Sequence, residues 1–311
     1  MMASPSLPAK LNAAPMPVSR WTRLRQRHRH AFEAWLILTP VLLYYLVFAV
    51  FPVLVNVALS FTRWNGISGG PVWVGLDNYV RYFQPPYPQI MFNTLLFVVV
   101  GLLLGTVVAF FIALLLNEKV YGLGLYRTLW YIPTLTSAAI MAQIITIFIA
   151  PYGGVLNNIL QSIGLQPLVL TIDSTAMRAV IILFTLWRGV GGGVLLFLAG
   201  LQGVHPELYE AAAMDGATGW AKLRSITLPL LRPMIAFVLV TGTIGWFQIF
   251  EAVLLISKGG PSNQTNVMLL QIYNDAFINA DFGLASAGAT VMALMLLGCS
   301  LFTLRSTRQE H

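Results

Sequence analysis

Long apolar runs alternate with short polar segments along almost the whole chain. Each run is apolar all round a helix, and a helix of about 20 residues, at ~1.5 Å per residue, crosses a hydrocarbon layer of ~30 Å. The runs do not alternate apolar and polar residues as membrane β-strands do. The pattern predicts six membrane-spanning helices. They fall at residues 34–61, 91–116, 126–150, 177–202, 233–257 and 281–304.

Composition supports a membrane protein. Of the 311 residues, 57% are hydrophobic and only 9% are charged, whereas soluble domains have about 25% charged residues. The single cysteine, Cys299, lies inside the last run, so it indicates a packing residue and no disulfide framework. We therefore expect an all-α membrane protein with six transmembrane helices.

The net charge of +7 is distributed unevenly. A basic cluster at 20–29 precedes the first run, and the segments after the fourth and sixth runs are also basic, while the intervening loops have few Lys or Arg. This positive-inside pattern places both termini and the 203–232 segment in the cytoplasm. It also argues against nucleic acid as a partner. Residues 62–90, 150–176 and 258–280 become external loops.

The Pro-, Ala- and Ser-rich residues 1–30 are expected to be a disordered cytoplasmic segment. The apolar run that begins near Trp35 is longer than a signal-peptide core, so we expect it to be retained as a first span. Residues 31–305 then form the transmembrane domain, and 306–311 a cytoplasmic tail. The short link at 117–127 predicts that spans two and three pack as an antiparallel pair.

The cytoplasmic segment 203–232 predicts two short helices. Pro206 suits the first position of a helix, and Asp215-Gly216 ends it because glycine adopts positive φ without steric cost. Thr218 can cap a second helix that runs up to Pro229. Since alanines and carboxylates occupy the first helix, where a lipid-binding helix has large apolar anchors and a basic face, the segment favours a protein partner.

The chain lacks the sequence signatures of several enzyme classes. There is no phosphate-binding loop, no His/Cys cluster with metal spacing and no nucleophile motif of an intramembrane protease. We expect no cofactor in this chain. The run Gly191–Gly193 lies within the fourth span, where it can allow close helix packing, a flexible point or space for a ligand.

Two charges lie within the predicted spans, where charges are costly. Arg188 and Glu251 can belong to a polar solute pathway with neighbouring aromatic and amide side chains, or form an ion pair between helices, or reach the membrane interface. Simple packing of the aromatic residues is the competing interpretation. The candidate pathway residues are Trp187, Arg188, Trp246, Phe247, Gln248 and Glu251.

The 203–232 segment resembles the EAA loop of permease subunits in binding-protein-dependent ATP-binding-cassette (ABC) importers, particularly sugar permeases. Its sequence contains Pro-Glu-Leu-Tyr-Glu-Ala-Ala from residue 206, then Asp-Gly-Ala from 215 and Ile-Thr-Leu-Pro from 226. The segments around 75–79 and 259–283 are also similar to that family, so the resemblance covers about residues 30–305. One departure is Leu223, where many relatives have an aromatic residue.

The resemblance implies a type I ABC importer permease fold and a division of labour among subunits. ATP and Mg²⁺ would bind a partner ATPase, a second, related permease would complete the pore, and an external solute-binding protein would deliver a sugar or oligosaccharide. Glycerol 3-phosphate or a polyol is the alternative solute, and a stand-alone secondary transporter or a membrane enzyme the alternative class. The residues implied in ATPase coupling are Glu207, Glu210, Ala211, Ala212, Asp215, Gly216, Ala217, Ile226, Leu228 and Pro229.

Overall fold

The computed structural model describes residues 35–118 and 122–308. The expected disordered segment at 1–30 and the end of the tail at 306–311 lie outside the described residues. Five helical stretches are long and apolar enough to cross a membrane, and a bent pair of helices makes a sixth if its two arms count as one span. The prediction of an all-α membrane fold with six spans is confirmed when the bent pair is counted as one span.

The elements follow one another in simple order. The long helices are α1 (Trp35–Leu59), α3 (Tyr87–Asn117), α7 (Ser174–Gln202), α10 (Leu228–Phe247) and α13 (Phe282–Arg308). The shorter helices are α2 (Asp77–Tyr82), α4 (Leu123–Leu135), α5 (Ala138–Phe148), α6 (Val155–Ser162), α8 (Pro206–Met214), α9 (Gly219–Lys222), α11 (Glu251–Ile256) and α12 (Met268–Tyr273). Strands β1 (Thr62–Arg63) and β2 (Val72–Trp73) pair antiparallel, with Thr62 opposite Trp73.

The third span is not the single helix that the run at 126–150 predicts. Its arms α4 and α5 meet at an angle of 91°. Pro133 lacks the N–H that would continue the helix, and Thr136 donates its hydroxyl to the Pro133 carbonyl at 2.7 Å. Thr136 and Ser137 then adopt extended backbone, with ψ of 149° and 124°. The overall hydropathy of the run hides this turn, although Pro133, Thr136 and Ser137 lie at it.

The fifth span also differs from its predicted form at 233–257. Helix α10 ends at Phe247, and α11 begins only at Glu251. Phe250 leaves the helical region, with φ of −134° and ψ of −59°. Glu251 is therefore the first residue of a short helix that follows an interruption within the fifth span, where its carboxylate complements the positive helix start.

Two of the prolines within helices follow wider helical turns. Residues Leu46–Val50 and Leu223–Thr227 form π-helical turns, and in each case a proline, Pro52 or Pro229, follows two residues later. The carbonyl four residues before each proline lies inside that turn, so the ring meets a locally opened helix. The prediction that the second helix of 203–232 ends at Pro229 is therefore wrong. Helix continues from α9 through the π turn into α10.

The described residues fall into two compact units, one up to residue 55 and one from residue 56 onwards. Within the second unit, α3 packs along α7, and α10 packs on α3, α7 and α13. The buried side chains at these contacts include Phe97, Phe197, Ile181 and Leu231. Helix α4 contacts α7 far more than it contacts α3, so the expectation that spans two and three pack as a hairpin is wrong. Both α3 and α4 instead pack on the large apolar surface of α7.

Candidate functional site

The 203–232 hairpin lies at one end of the helix bundle, which we call the hairpin end. Its first helix, α8, begins with Pro206 in the first turn and the acidic Glu207 beside it. Proline costs no backbone hydrogen bond there, because an N–H at that position would have no partner within the helix. The predicted start of this helix is confirmed.

Helix α8 ends in a Schellman motif. Gly216 has a φ of +76°, and the N–H of Ala217 donates to the Ala212 carbonyl at 2.8 Å while the N–H of Gly216 donates to the Ala213 carbonyl at 3.0 Å. These bonds satisfy carbonyls that a helix end otherwise leaves free. The Asp-Gly break predicted from the sequence is thus a defined reversal of the chain.

Two contacts fix the second half of the hairpin. The Thr218 hydroxyl caps α9 by accepting the N–H of Ala221 at 3.3 Å, as predicted. The hydroxyls of Tyr209 and Thr227 lie 3.0 Å apart, and Thr227 is 4% exposed. This bond ties α8 to the π turn that leads into α10, so the hairpin is attached to a long helix at a defined angle.

The hairpin presents a mixed acidic and apolar surface. Of the residues implied in coupling, Glu207, Glu210, Ala211, Asp215 and Gly216 are exposed. The other five are half-buried. They are Ala212, Ala217, Ile226, Leu228 and Pro229.

Met214 and Trp220 are the residues that the sequence interpretation omitted from the hairpin surface. Met214 is 89% exposed and Trp220 is 69% exposed, on either side of the Gly216 turn. Exposed large apolar side chains in a polar segment are typical of interaction surfaces, and tryptophan is common at the centre of interfaces. Their size in a segment that is otherwise small and acidic was the available signal.

A second candidate site is a cavity of about 360 Å³, which we call the polar cavity. It lies where α5, α7, α10 and α11 meet, beside the break between α10 and α11. Arg188, Gln248 and Glu251 line it together. The Arg188 Nη2 atom lies 3.8 Å from the Glu251 Oε2 atom, with 30% and 61% of the two side chains exposed. The structure thus brings three of the six candidate pathway residues together.

The three aromatic candidates do not line the polar cavity. Phe247 is 1% exposed in the core, and Trp246 packs so closely on α3 that a Cβ at Gly101 would lie 2.4 Å from its ring. Trp187 is 44% exposed and contacts Phe184, with ring centroids 6.5 Å apart. In this conformation Phe247 packs in the core, as the competing interpretation of the aromatic residues expects.

A neighbouring cavity of about 420 Å³, which we call the glycine cavity, is bounded by α3, α7 and α10. It shares Thr185 and Gly245 with the polar cavity. Gly189, Gly192 and Gly245 line it at positions where an added Cβ would meet no atom within 4 Å. Since α7 runs from the opposite end towards the hairpin, this second cavity extends the first towards the hairpin end.

Polar side chains fasten the opposite end of the bundle. Arg178 on α7 donates to the Asn93 side chain at 3.1 Å and to the Gln264 carbonyl at 2.9 Å, and Asn93 donates to the carbonyls of Asn263 and Asn266. These bonds hold the 258–267 loop on α3 and α7. That Arg178 joins these segments could not be inferred from the sequence, because they lie far apart along the chain.

Next to this loop, a carboxylate is buried outside the spans. Asp275 is 1% exposed, and its Oδ1 atom accepts from Gln271 at 2.8 Å and from Asn279 at 3.3 Å. Its Oδ2 atom and the Tyr82 hydroxyl have no hydrogen-bond partner among the described residues. Burial raises the pKa of Asp275, and burial together with the Asp275 charge raises the pKa of Tyr82.

The described residues, 35–118 and 122–308, contain no group of three or more His, Cys, Asp or Glu side chains that could hold a metal ion. The polar groups instead form the two arrangements above, an exposed docking surface and a pair of cavities between long helices. Both features are typical of a membrane transport subunit that works with other chains.

Comparison with known proteins defines this class. The family model of "Binding-protein-dependent transport system inner membrane component" matches residues 101–308, about two thirds of the chain. The chain therefore belongs to this family of membrane permease subunits, and the resemblance found in the sequence is confirmed.

Individual relatives resemble the chain over nearly its whole length. It is 33% identical to "Probable ABC transporter permease protein YurN" of Bacillus subtilis (strain 168), over 87% of this chain and 94% of the relative. It is 31% identical to "Lactose transport system permease protein LacF" of Rhizobium radiobacter, over 89% and 95%.

A solved structure shares the fold. A chain of a bacterial alginate ABC transporter, crystallised in complex with an alginate pentasaccharide-bound periplasmic protein, has a TM-score of 0.79 with this chain and 28% sequence identity. The match covers 92% of this chain and 98% of that chain. The fold is therefore that of a type I ABC importer permease.

Proposed function

We propose that this chain forms half of the pathway of an importer for a sugar or oligosaccharide, powered by an ATPase subunit that docks on the 203–232 hairpin. The observation that carries the proposal is the geometry of the hairpin. It is a rigid reversal with exposed Glu210, Met214 and Trp220 at its tip, and it continues directly into α10. Such a shape suits insertion into a groove on another protein.

Charge supports the proposed orientation. Lys222, Arg224 and Arg232 belong to the hairpin, and basic residues also precede the first span and follow the last. Under the positive-inside rule the hairpin end faces the cytoplasm, where an ATPase subunit has access to ATP and Mg²⁺. The opposite end, with its fastened 258–267 loop, then faces an external solute-binding protein.

A sugar as the transported solute agrees with both relatives and cavity. The Rhizobium radiobacter relative is named for lactose, and the alginate transporter was crystallised with an oligosaccharide-bound periplasmic protein. The polar cavity offers an amide, a guanidinium and a carboxylate among apolar side chains, which suits hydroxyl groups on a ring. A second permease would enclose the glycine-lined side, where Gly189 and Gly192 leave open space.

The test compares two glycines in the same motif. Gly216 and Gly164 both have positive φ, of +76° and +80°, and open surroundings, and Gly164 ends α6 with the same pair of bonds, Leu165 to Leu160 at 2.9 Å and Gly164 to Gln161 at 3.0 Å. Gly216→Val and Gly164→Val therefore impose similar backbone strain, but only the first alters the hairpin.

We expect the wild-type chain to co-purify with its ATPase subunit from detergent-solubilised membranes. Gly216→Val and Glu210→Lys should reduce both co-purification and solute-stimulated ATP hydrolysis at least tenfold, while Gly164→Val retains both. Protein levels in the membrane should be similar for all variants. Normal stimulation in Gly216→Val, or equal loss in the two glycine variants, would show that the hairpin does not couple transport to ATP hydrolysis.

A further inference from the structure

The polar cavity contains one positive and one negative group, and they face each other. Arg188 comes from the middle of α7, and Glu251 begins α11 after the break in the fifth span. The other lining residues are all uncharged. The electrostatic character of this cavity therefore depends on two side chains.

The distance between the two charges determines how they act on a solute. At 3.8 Å the pair is close enough for each charge to cancel most of the other's field across the cavity. Both side chains nevertheless remain partly exposed, so their polar atoms can still meet a ligand. A neutral, hydroxyl-rich ligand can bond to both groups, whereas an anion gains from Arg188 and is repelled by Glu251.

We propose that Glu251 is a specificity-determining residue that neutralises Arg188 and so prevents the cavity from preferring anions. This inference rests on the proposed function, because it matters for transport only if the polar cavity lies on the solute pathway. It narrows the substrate class to uncharged sugars and excludes uronates and phosphorylated solutes, so the solute would differ in charge from the acidic polysaccharide of the structurally similar alginate transporter. Without Glu251, Arg188 would give the same cavity a net positive charge.

A cysteine reporter inside the cavity measures this charge directly. Gly245 lines the cavity, and an added Cβ there meets no atom within 4 Å. Gly245→Cys can be placed in the full-length chain, with its partner subunits, after Cys299→Ser removes the only native cysteine. The probes are two methanethiosulfonates of similar size, an ethyltrimethylammonium cation and an ethylsulfonate anion, and the measurement is the ratio of their reaction rates.

The two members of the pair give opposite expectations. Glu251→Gln should raise the ratio of anion to cation reaction rates on the order of tenfold, because an uncompensated charge then faces the reporter at short range. Arg188→Gln should lower the ratio by a similar factor, and the double variant should return close to the reporter background. The matched control is Asp77→Asn, which removes a carboxylate from the exposed Arg63–Asp77 pair and should leave the ratio unchanged.

Results that overturn this inference differ from those that overturn the proposed function. If both single variants change the ratio less than twofold while the reporter reacts normally, the pair does not set the charge of the cavity and the inference fails. That result does not bear on whether the ATPase co-purifies with the chain through the hairpin, which is the test of the proposed function. Conversely, normal ATPase stimulation in Gly216→Val, or equal loss in Gly216→Val and Gly164→Val, would refute the proposed function, while opposite shifts in the rate ratio would still establish the charge balance of the pair.

Discussion

The three successive glycines of α7 have different surroundings, and this difference predicts different effects of the same substitution. A Cβ at Gly191 would lie 2.5 Å from the backbone carbonyl oxygen of Trp130 on α4. A Cβ at Gly192 would meet no atom within 4 Å, since that position faces the glycine cavity. The Thr134 hydroxyl also donates to the Arg188 carbonyl at 2.9 Å, so α4 cannot easily move away from α7.

The magnitude follows from comparing Gly191→Ala with Gly192→Ala. Both replace a glycine by alanine inside the same helix, which favours the helix by ~1 kcal/mol in each case. That gain cancels in the comparison, and the remaining difference is the clash at Gly191. Forcing one extra carbon into a packed contact costs about 1–3 kcal/mol, and the obstacle here is backbone, which cannot rotate aside. We therefore expect Gly191→Ala to be the less stable variant by that amount.

Thermal unfolding of the purified protein measures this difference. For a domain of about 200 residues, a change of ~2 kcal/mol shifts Tm by roughly 5 °C. Gly191→Ala should unfold at a temperature several degrees below that of Gly192→Ala, when unfolding is monitored by tryptophan fluorescence or by size-exclusion chromatography of heated samples. Gly192→Ala should match or exceed the wild type. Equal Tm values for the two variants would mean that α4 does not lie against α7 at Gly191.

Two further predictions concern polar groups at opposite ends of the bundle. Because burial raises the folded-state pKa of Asp275 above its ordinary value of 3.8, the folded protein loses stability as pH rises above about 4. Asp275→Asn should therefore have a higher Tm than the wild type at pH 7. If the difference in Tm between the two proteins did not narrow towards pH 4, this reasoning would be contradicted. Tyr209→Phe removes the bond to Thr227 and should lower hairpin protection in amide exchange by about 1 kcal/mol, whereas unchanged exchange in α8 would show that this bond does not fix the hairpin.

The spans and the hairpin could be predicted because their signals are local. A run of apolar residues identifies a span whatever it packs against, and Pro206, Gly216 and Thr218 occupy the positions that helix starts and reversals require. These features depend on neighbours within a few residues. The structure therefore changes the ends of the first, second, fourth and sixth spans only slightly from their predicted positions, whereas the third and fifth spans are interrupted.

The breaks and cavities could not be predicted in the same way. The bend between α4 and α5 depends on Thr136 bonding to a carbonyl nearby, which hydropathy does not register. The position of Arg188 beside Glu251 depends on how α7 packs against α10 and α11. The positions of the aromatic residues also depend on packing: Phe247 is buried in the core, whereas Trp246 contacts α3 and lines the glycine cavity.

The same two helices connect the proposed ATPase surface to the proposed solute site. Helix α7 leads into the 203–232 hairpin, and the hairpin continues without a helix end into α10; both helices line both cavities. In the proposed mechanism, a tilt of the hairpin therefore also tilts α7 and α10. The Tyr209–Thr227 bond contributes to this coupling because it ties α8 to the base of α10. The polar cavity lies towards the far ends of these helices, next to the interruption after Phe247 that separates α10 from α11. Movement of the hairpin would therefore change the distance between Arg188 and Glu251.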